Sequence, residues 1–355
     1  MACSRRRRSR FAGFVASAPK IAAVALALSS ASACDKSPSK SDLAAWRSAA
    51  HDLNDAAVSA HKTAAGDAAW SVAVSGQVTG RRVRLDWARL EELATTHVKT
   101  RAPHHTSNPQ EVIDWRGVPV GALLDSLGAA PSSETVTLIG SDLFSVTVDY
   151  ADLRKWPNII LAIEQDGKPI KRSEAGPVVL VFPYSESPDV ALKYNELFWA
   201  FYVSHVVVDH DDIALRIGSR TLDHAAFDKL PRVALEGNVG FRIHWPSGKT
   251  AVQGVRLRDA MAAAGASVPD GSTVVIRSKT PALPEDAHEM RLDAADLHTC
   301  EIILALTWGK DRAAIPADMG GPVALGLGPT CRAKYDKAGK NPWPVYVEEI
   351  EVVSP

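Results

Sequence analysis

Ile113-Asp-Trp-Arg-Gly-Val-Pro-Val-Gly-Ala-Leu-Leu-Asp-Ser-Leu-Gly-Ala129 has a second version further along the chain, Thr250-Ala-Val-Gln-Gly-Val-Arg-Leu-Arg-Asp-Ala-Met-Ala-Ala-Ala-Gly-Ala266. Both pass through Gly-Val into an apolar stripe at helical spacing and stop at Gly-Ala. Gly128 and Gly265 stand where a helix end favours a left-handed residue. Working outward, more blocks recur in the same order. Val136 to Ile139 matches Val274 and its neighbours as a strand. Asn158-Ile-Ile-Leu-Ala-Ile163 matches Glu301-Ile-Ile-Leu-Ala-Leu306, and Gly176-Pro-Val-Val-Leu180 matches Gly321-Pro-Val-Ala-Leu325. Each half opens on a strand and then Leu85-Asp-Trp-Ala-Arg-Leu-Glu-Glu-Leu93 or Leu222-Asp-His-Ala-Ala-Phe-Asp-Lys-Leu230. Asp86 and Asp223 are placed to cap a short helix. Each half closes on a β-rich run, Tyr202 to Val208 or Tyr346 to Val353. Blocks that keep their order mark an internal repeat. The boundary falls near His210-Asp-Asp212, and extra residues in the second copy, Pro281 to His288, read as a loop.

The chain has 355 residues, 46% hydrophobic and 23% charged, which excludes a disordered chain, a collagen-like fibre and a polytopic membrane protein. Strands and short helices mix without strict βαβ alternation, so the expected class is α+β. The expected organisation is a signal peptide over 1–33, a tether over 34–69, copy one over 70–210 and a degenerate copy two over 211–355.

Arg5 to Arg8, Arg10 and Lys20 make a basic start without acids, followed by the apolar run Ile21 to Leu28. That run is too short to span a bilayer and reads as a secretory signal. Ala31-Ser-Ala-Cys34 admits two readings: a lipobox with lipidation at Cys34, or a plain cleavage site before it. Both put the mature protein outside the cytoplasm, in the periplasm or at the cell surface, with a lipid anchor to the membrane in the first case. Beyond residue 33, 34 basic residues face 41 acidic ones, which argues against nucleic acid as a partner.

Trp115-Arg-Gly-Val-Pro-Val120 resembles the W-x-G-V-P-L segment of the molybdopterin-binding domain of the sulfite oxidase family. Gly140-Ser-Asp-Leu-Phe-Ser145 resembles that family's G-x-D-G-Y-x stretch. Leu161 to Ile170, followed by Gly176-Pro-Val-Val-Leu-Val-Phe-Pro183, resembles its L-A-Y-E-x-N-G-x-P-L and G-P-x-R-L-V-V-P signature. The likeness runs from Trp70 to Val208, and copy two shares it through its kinship with copy one. It implies two tandem sulfite oxidase-like, molybdopterin-binding-type domains of mixed β-sheet with short helices. Family enzymes hold molybdenum through the pterin dithiolene and one protein cysteine just before the W-x-G-V-P block. Here Thr96 to Asn108 contains no cysteine, nor does Val233 to His244.

Within that resemblance the candidate cofactor-binding residues are Arg101, His104, His105, Trp115, Asp142, Phe144 and Lys193, with no metal site expected. Arg101 suits an anion; Asp142 and Phe144 lie on a turn whose family equivalents line the pocket. Asp166-Gly167 reads as a hairpin turn. The aromatics Tyr184, Tyr194, Phe198, Trp199, Phe201 and Tyr202 form either a stacking wall or a contact between copies. Cys300 and Cys331 can pair as a disulfide in an oxidising compartment, or stay as buried thiols. No G-x-S-x-G, P-loop or G-x-G-x-x-G occurs, and no catalytic residue is assigned. Two functions follow. One is a non-redox module binding a small molecule or a periplasmic protein, with no cofactor. The alternative is a molybdopterin-dependent oxidoreductase with atypical metal ligation. Copy one is the expected acting half.

Overall fold

The computed structural model describes Ser41 and residues 69–80, 82–102, 110–238, 249–279, 288–336 and 344–354. The signal region, the tether apart from Ser41 and residue 69, Cys34, His104, His105 and most of the extra loop of copy two lie outside the described residues. From residue 69 on, the described chain belongs to one compact unit of α+β architecture. No helix among the described residues is long and apolar enough to cross a membrane.

The first half carries β1(Ser71–Gly76), β2(Arg82–Asp86), β3(Thr96–Arg101), β4(Val112–Pro119), β5(Thr135–Gly140), β6(Ser145–Asp149), β7(Ile160–Gln165), β8(Lys168–Pro169), β9(Val179–Val181) and β10(Val203–Val208). The second carries β11(Ala214–Ile217), β12(Arg220–Asp223), β13(Arg232–Asn238), β14(Lys249–Arg256), β15(Thr273–Ser278), β16(Glu289–Asp293), β17(Ile302–Trp308), β18(Ala313–Ala314), β19(Ala324–Leu327) and β20(Val347–Val353). One five-stranded sheet of the first half has the order β2-β1-β10-β5-β6, and the second half has β12-β11-β20-β15-β16. The other sheets run β3-β4-β7-β8 and β13-β14-β17-β18, with β9 and β19 pairing to β7 and β17. The two halves therefore repeat one sheet topology, strand for strand.

Local chemistry explains why the repeated blocks fold alike. Asp86 accepts from Arg89 N at 2.9 Å and Asp223 from Ala226 N at 2.9 Å, each capping its helix as expected. Gly128 and Gly265 end their helices at φ 70° and 72°, the left-handed region open to glycine. Asp166 and Gly167 both have positive φ and turn β7 tightly into β8. Gly176-Pro177 and Gly321-Pro322 are both cis.

Each half has its own apolar core. A third cluster joins them: Ile139, Leu143 and Val207 of the first half pack on Val252, Ile303, Ile315 and Tyr346 of the second. Polar contacts flank this seam. His288 Nε2 lies 2.9 Å from Ser141 O, Ser145 Oγ donates to Asp318 O at 3.1 Å, and buried Lys279 reaches Asp211 at 2.6 Å and Glu348 at 3.0 Å. The Lys279 charge, with Arg82, overcomes burial and holds the Glu348 carboxyl down to about 2. The aromatics of the first half serve neither expected role. Phe182 stacks on Tyr184 and Tyr194, and Trp199 meets Trp115 edge-on at 5.9 Å, inside that half's own core. Their apolar area is spent on folding rather than on a wall or a seam.

Candidate functional site

The described residues among those expected to hold a cofactor lie in different local settings, while His104 and His105 fall outside the described residues. Trp115 is a core side chain, 3% exposed, rather than a ligand platform. Arg101 is exposed at the end of β3 and donates to Gln110 Oε1 at 3.0 Å. Asp142 accepts from Phe144 N at 3.0 Å and shapes the β5–β6 turn beside the second half. Phe144 is 42% exposed on the same turn. Lys193 sits at the opposite end of β6, ion-paired with Asp149 and Asp152. Those carboxylates raise its ammonium pKa, and Tyr194 Oη donates to Asp152 at 2.6 Å. Lys193 is thus consumed by a structural network.

That network recurs. Lys334 pairs with Asp293 at 2.5 Å and Asp296 at 2.8 Å, and Tyr335 Oη donates to Asp296 at 2.5 Å. Burial pushes both tyrosines up to about 12, so they remain donors. The signal was present in the sequence as Asp-x-x-Asp at 149 and 293 and Lys-Tyr at 193 and 334.

The described residues of the first half's strand end do not fit a molybdenum-pterin. β3 supplies Thr100, fully buried with an unpartnered Oγ1 among the described residues. That neutral hydroxyl is not the soft thiolate such a metal takes, and β3 contains no cysteine. Glu186, at the other side, accepts from Lys99 N at 3.2 Å and from Asn158 Nδ2 at 2.8 Å. A carboxylate there opposes a phosphate-bearing ligand. The described cysteines lie elsewhere: Cys300 and Cys331 form a disulfide, Cα to Cα 5.7 Å.

A cavity of about 560 Å³ opens instead in the second half. Its floor is apolar, made by Ile213, Leu306, Ile315, Ala317 and Pro322; its rim carries His210, His224, Arg232 and Arg312, with Asp211 and Asp212. A Cβ on Gly321 would strike the Ile315 carbonyl, so glycine lets the chain close the floor. Strand register identifies the same place in the first half, where it is filled. Gln253 pairs with Thr307 as Arg116 pairs with Glu164. Arg116 grips Glu164 with two guanidinium nitrogens, at 2.7 and 2.5 Å, and donates a third bond to Ala94 O at 2.9 Å. This contact holds the Glu164 carboxyl below its usual range. Trp70, 1% exposed, takes the place of Ile213, each directly preceding the first strand of its half. Arg172, the counterpart of Ala317, lies over the Trp70 and Tyr202 rings at 5.1 and 5.2 Å. Four smaller side chains in the second half therefore vacate the volume.

The rim is partly self-neutralised. Asp228 holds Arg232 at 2.6 Å and His224 at 3.3 Å, and Lys279 holds Asp211. Arg312 stands on the turn Gly309 to Arg312, two residues longer than Asp166-Gly167, with φ 53°.

Repeated mixed sheets with short helices define an α+β protein. Residues 59–187 match the family described as oxidoreductase molybdopterin binding domain. Among solved structures, the sulfane dehydrogenase SoxCD from Paracoccus pantotrophus is similar at 12% identity and TM-score 0.29, covering 81% of this chain and 78% of that one. No curated protein matches the chain.

Proposed function

We propose that the protein is an exported, lipid-anchored, non-redox binding module whose second half holds a small molecule. The cavity of about 560 Å³ carries this reading, since its first-half counterpart is filled by Trp70, Arg172 and the Arg116–Glu164 pair. That volume lies in the range of small-molecule sites, which are apolar with a few polar groups at the mouth. The floor would strip water from an apolar body, and the rim would orient a polar head. Anchoring through Cys34 would place the module at a membrane surface of the periplasm or cell envelope.

The family match over 59–187 favours a second reading, a molybdopterin-dependent oxidoreductase with unusual metal ligation. One measurement separates the two. The mature full-length chain is purified from a host that makes the molybdenum cofactor, and molybdenum and released pterin are quantified. The binding module predicts neither above trace. Stoichiometric molybdenum overturns it. Mass spectrometry of the N-terminal peptide tests the diacylglycerol adduct on Cys34.

A further inference from the structure

We infer that the second-half cavity selects a small organic carboxylate with an apolar body, and that Arg312 is the residue that takes its head group. This rests on the binding-module reading and names the ligand class. Among the charged rim residues, Arg232 is held by Asp228 and Asp211 is neutralised by buried Lys279. Arg312 is exposed on the cavity mouth and makes no side-chain hydrogen bond or ion pair among the described residues. A guanidinium beside an apolar floor binds a planar carboxylate through two parallel N–H donors. The first half makes the contrast. Its turn lacks the two extra residues that bring in Arg312, and Glu164 puts a carboxylate of its own against Arg116. There the anion is built into the chain; in the second half Gln253 and Thr307 form no such pair, and Arg312 stands at the mouth instead.

The test uses the full chain with octanoate and its uncharged analogue octanamide, titrated by calorimetry. Octanoate is expected to bind one to one, and Arg312→Gln to weaken it by about tenfold or more. Octanamide is expected to bind wild type and Arg312→Gln alike. Ala317→Trp, which refills the floor, is expected to abolish both; Ile213→Trp serves if that variant does not fold. Equal binding of octanoate and octanamide, both lost on filling the floor, overturns the carboxylate assignment and leaves the module standing. Failure of both to bind wild type overturns the carboxylate assignment; the molybdenum assay judges the module separately. Arg312→Gln lies on an exposed turn, and its unchanged melting temperature separates lost affinity from lost fold.

Discussion

Trp70 and Ile213 occupy one position of a repeated fold, each directly before the first strand of its half, and the exchange of an indole for an aliphatic chain separates a filled site from an open one. The indole does more than occupy volume. Its Nε1 donates to Val203 O at 2.9 Å across the sheet, and Arg172 covers its face. Trp70→Ile is therefore expected to destabilise the protein by about 2–4 kcal/mol, from lost contact area and a residual cavity. Urea unfolding reads this as a lower midpoint at unchanged slope. A change below about 0.5 kcal/mol would show that the first half does not rely on the indole.

The Arg116–Glu164 pair allows a cycle toward the second half's own residues. Both side chains are 23% exposed, and Glu164→Thr leaves a half-buried guanidinium with Ala94 O alone. Each single change, Arg116→Gln or Glu164→Thr, is expected to cost about 1–3 kcal/mol. The double variant recreates the Gln253–Thr307 combination and is expected to cost less than the sum, by about 0.5–3 kcal/mol. Strict additivity would mean that the bidentate contact contributes nothing.

Much of this fold was legible before coordinates. The ordered blocks, the Asp86 and Asp223 caps, and the glycine stops at 128 and 265 are local signals, set by spacing within one element. The cavity was not legible, because it depends on which residues of distant elements share a place. Trp70 and Ile213 align only through strand register: the β1–β2 connection is longer than the β11–β12 one, which hides the match in sequence. Expectation fell on the first half because it retains the family's motif residues. Those residues are there, but Trp115 packs the core and Lys193 is tied down by two carboxylates. At these two positions motif retention reported packing and ion pairing.

Acid should weaken the protein through His205. Burial pushes this fully enclosed imidazole down to about 3 from an ordinary 6.5, with the Lys279, Arg82 and Arg84 charges adding to the effect and Glu348 opposing it. The unfolded chain therefore binds a proton that the folded one refuses. Stability is complete above about pH 6.5 and falls as pH drops from there toward 3. The slope from this group approaches about 1.4 kcal/mol per pH unit. Glu348, held low, adds its loss only below its ordinary 4.5. Between about pH 6.5 and 4.5, His205→Gln is expected to flatten the fall in melting temperature. Parallel curves for the two proteins would refute the assignment.

The disulfide falls where the halves differ in how they fasten the same helix. Cys331 lies in Pro329–Asp336, fully buried, and Cys300 precedes β17. The matching first-half residues are Pro157 and Val190, with Val190 buried in helix Pro188–Lys193. There Phe182 and Trp156 pack Tyr194 at 5.5 and 6.2 Å, so an aromatic cluster holds the helix without a covalent bond. The second half has no such aromatic set around Tyr335 among the described residues, and the crosslink compensates. Cys331→Ala is expected to lower stability by about 2–4 kcal/mol, with the Lys334–Asp296 network insufficient alone. Reduction of the wild type should produce a loss of similar size, and a peptide map without reductant should contain the Cys300–Cys331 crosslink. Equal unfolding midpoints for oxidised and reduced protein would mean that the helix is already secured by Lys334 and Tyr335, and that the bond is incidental to the second half's stability.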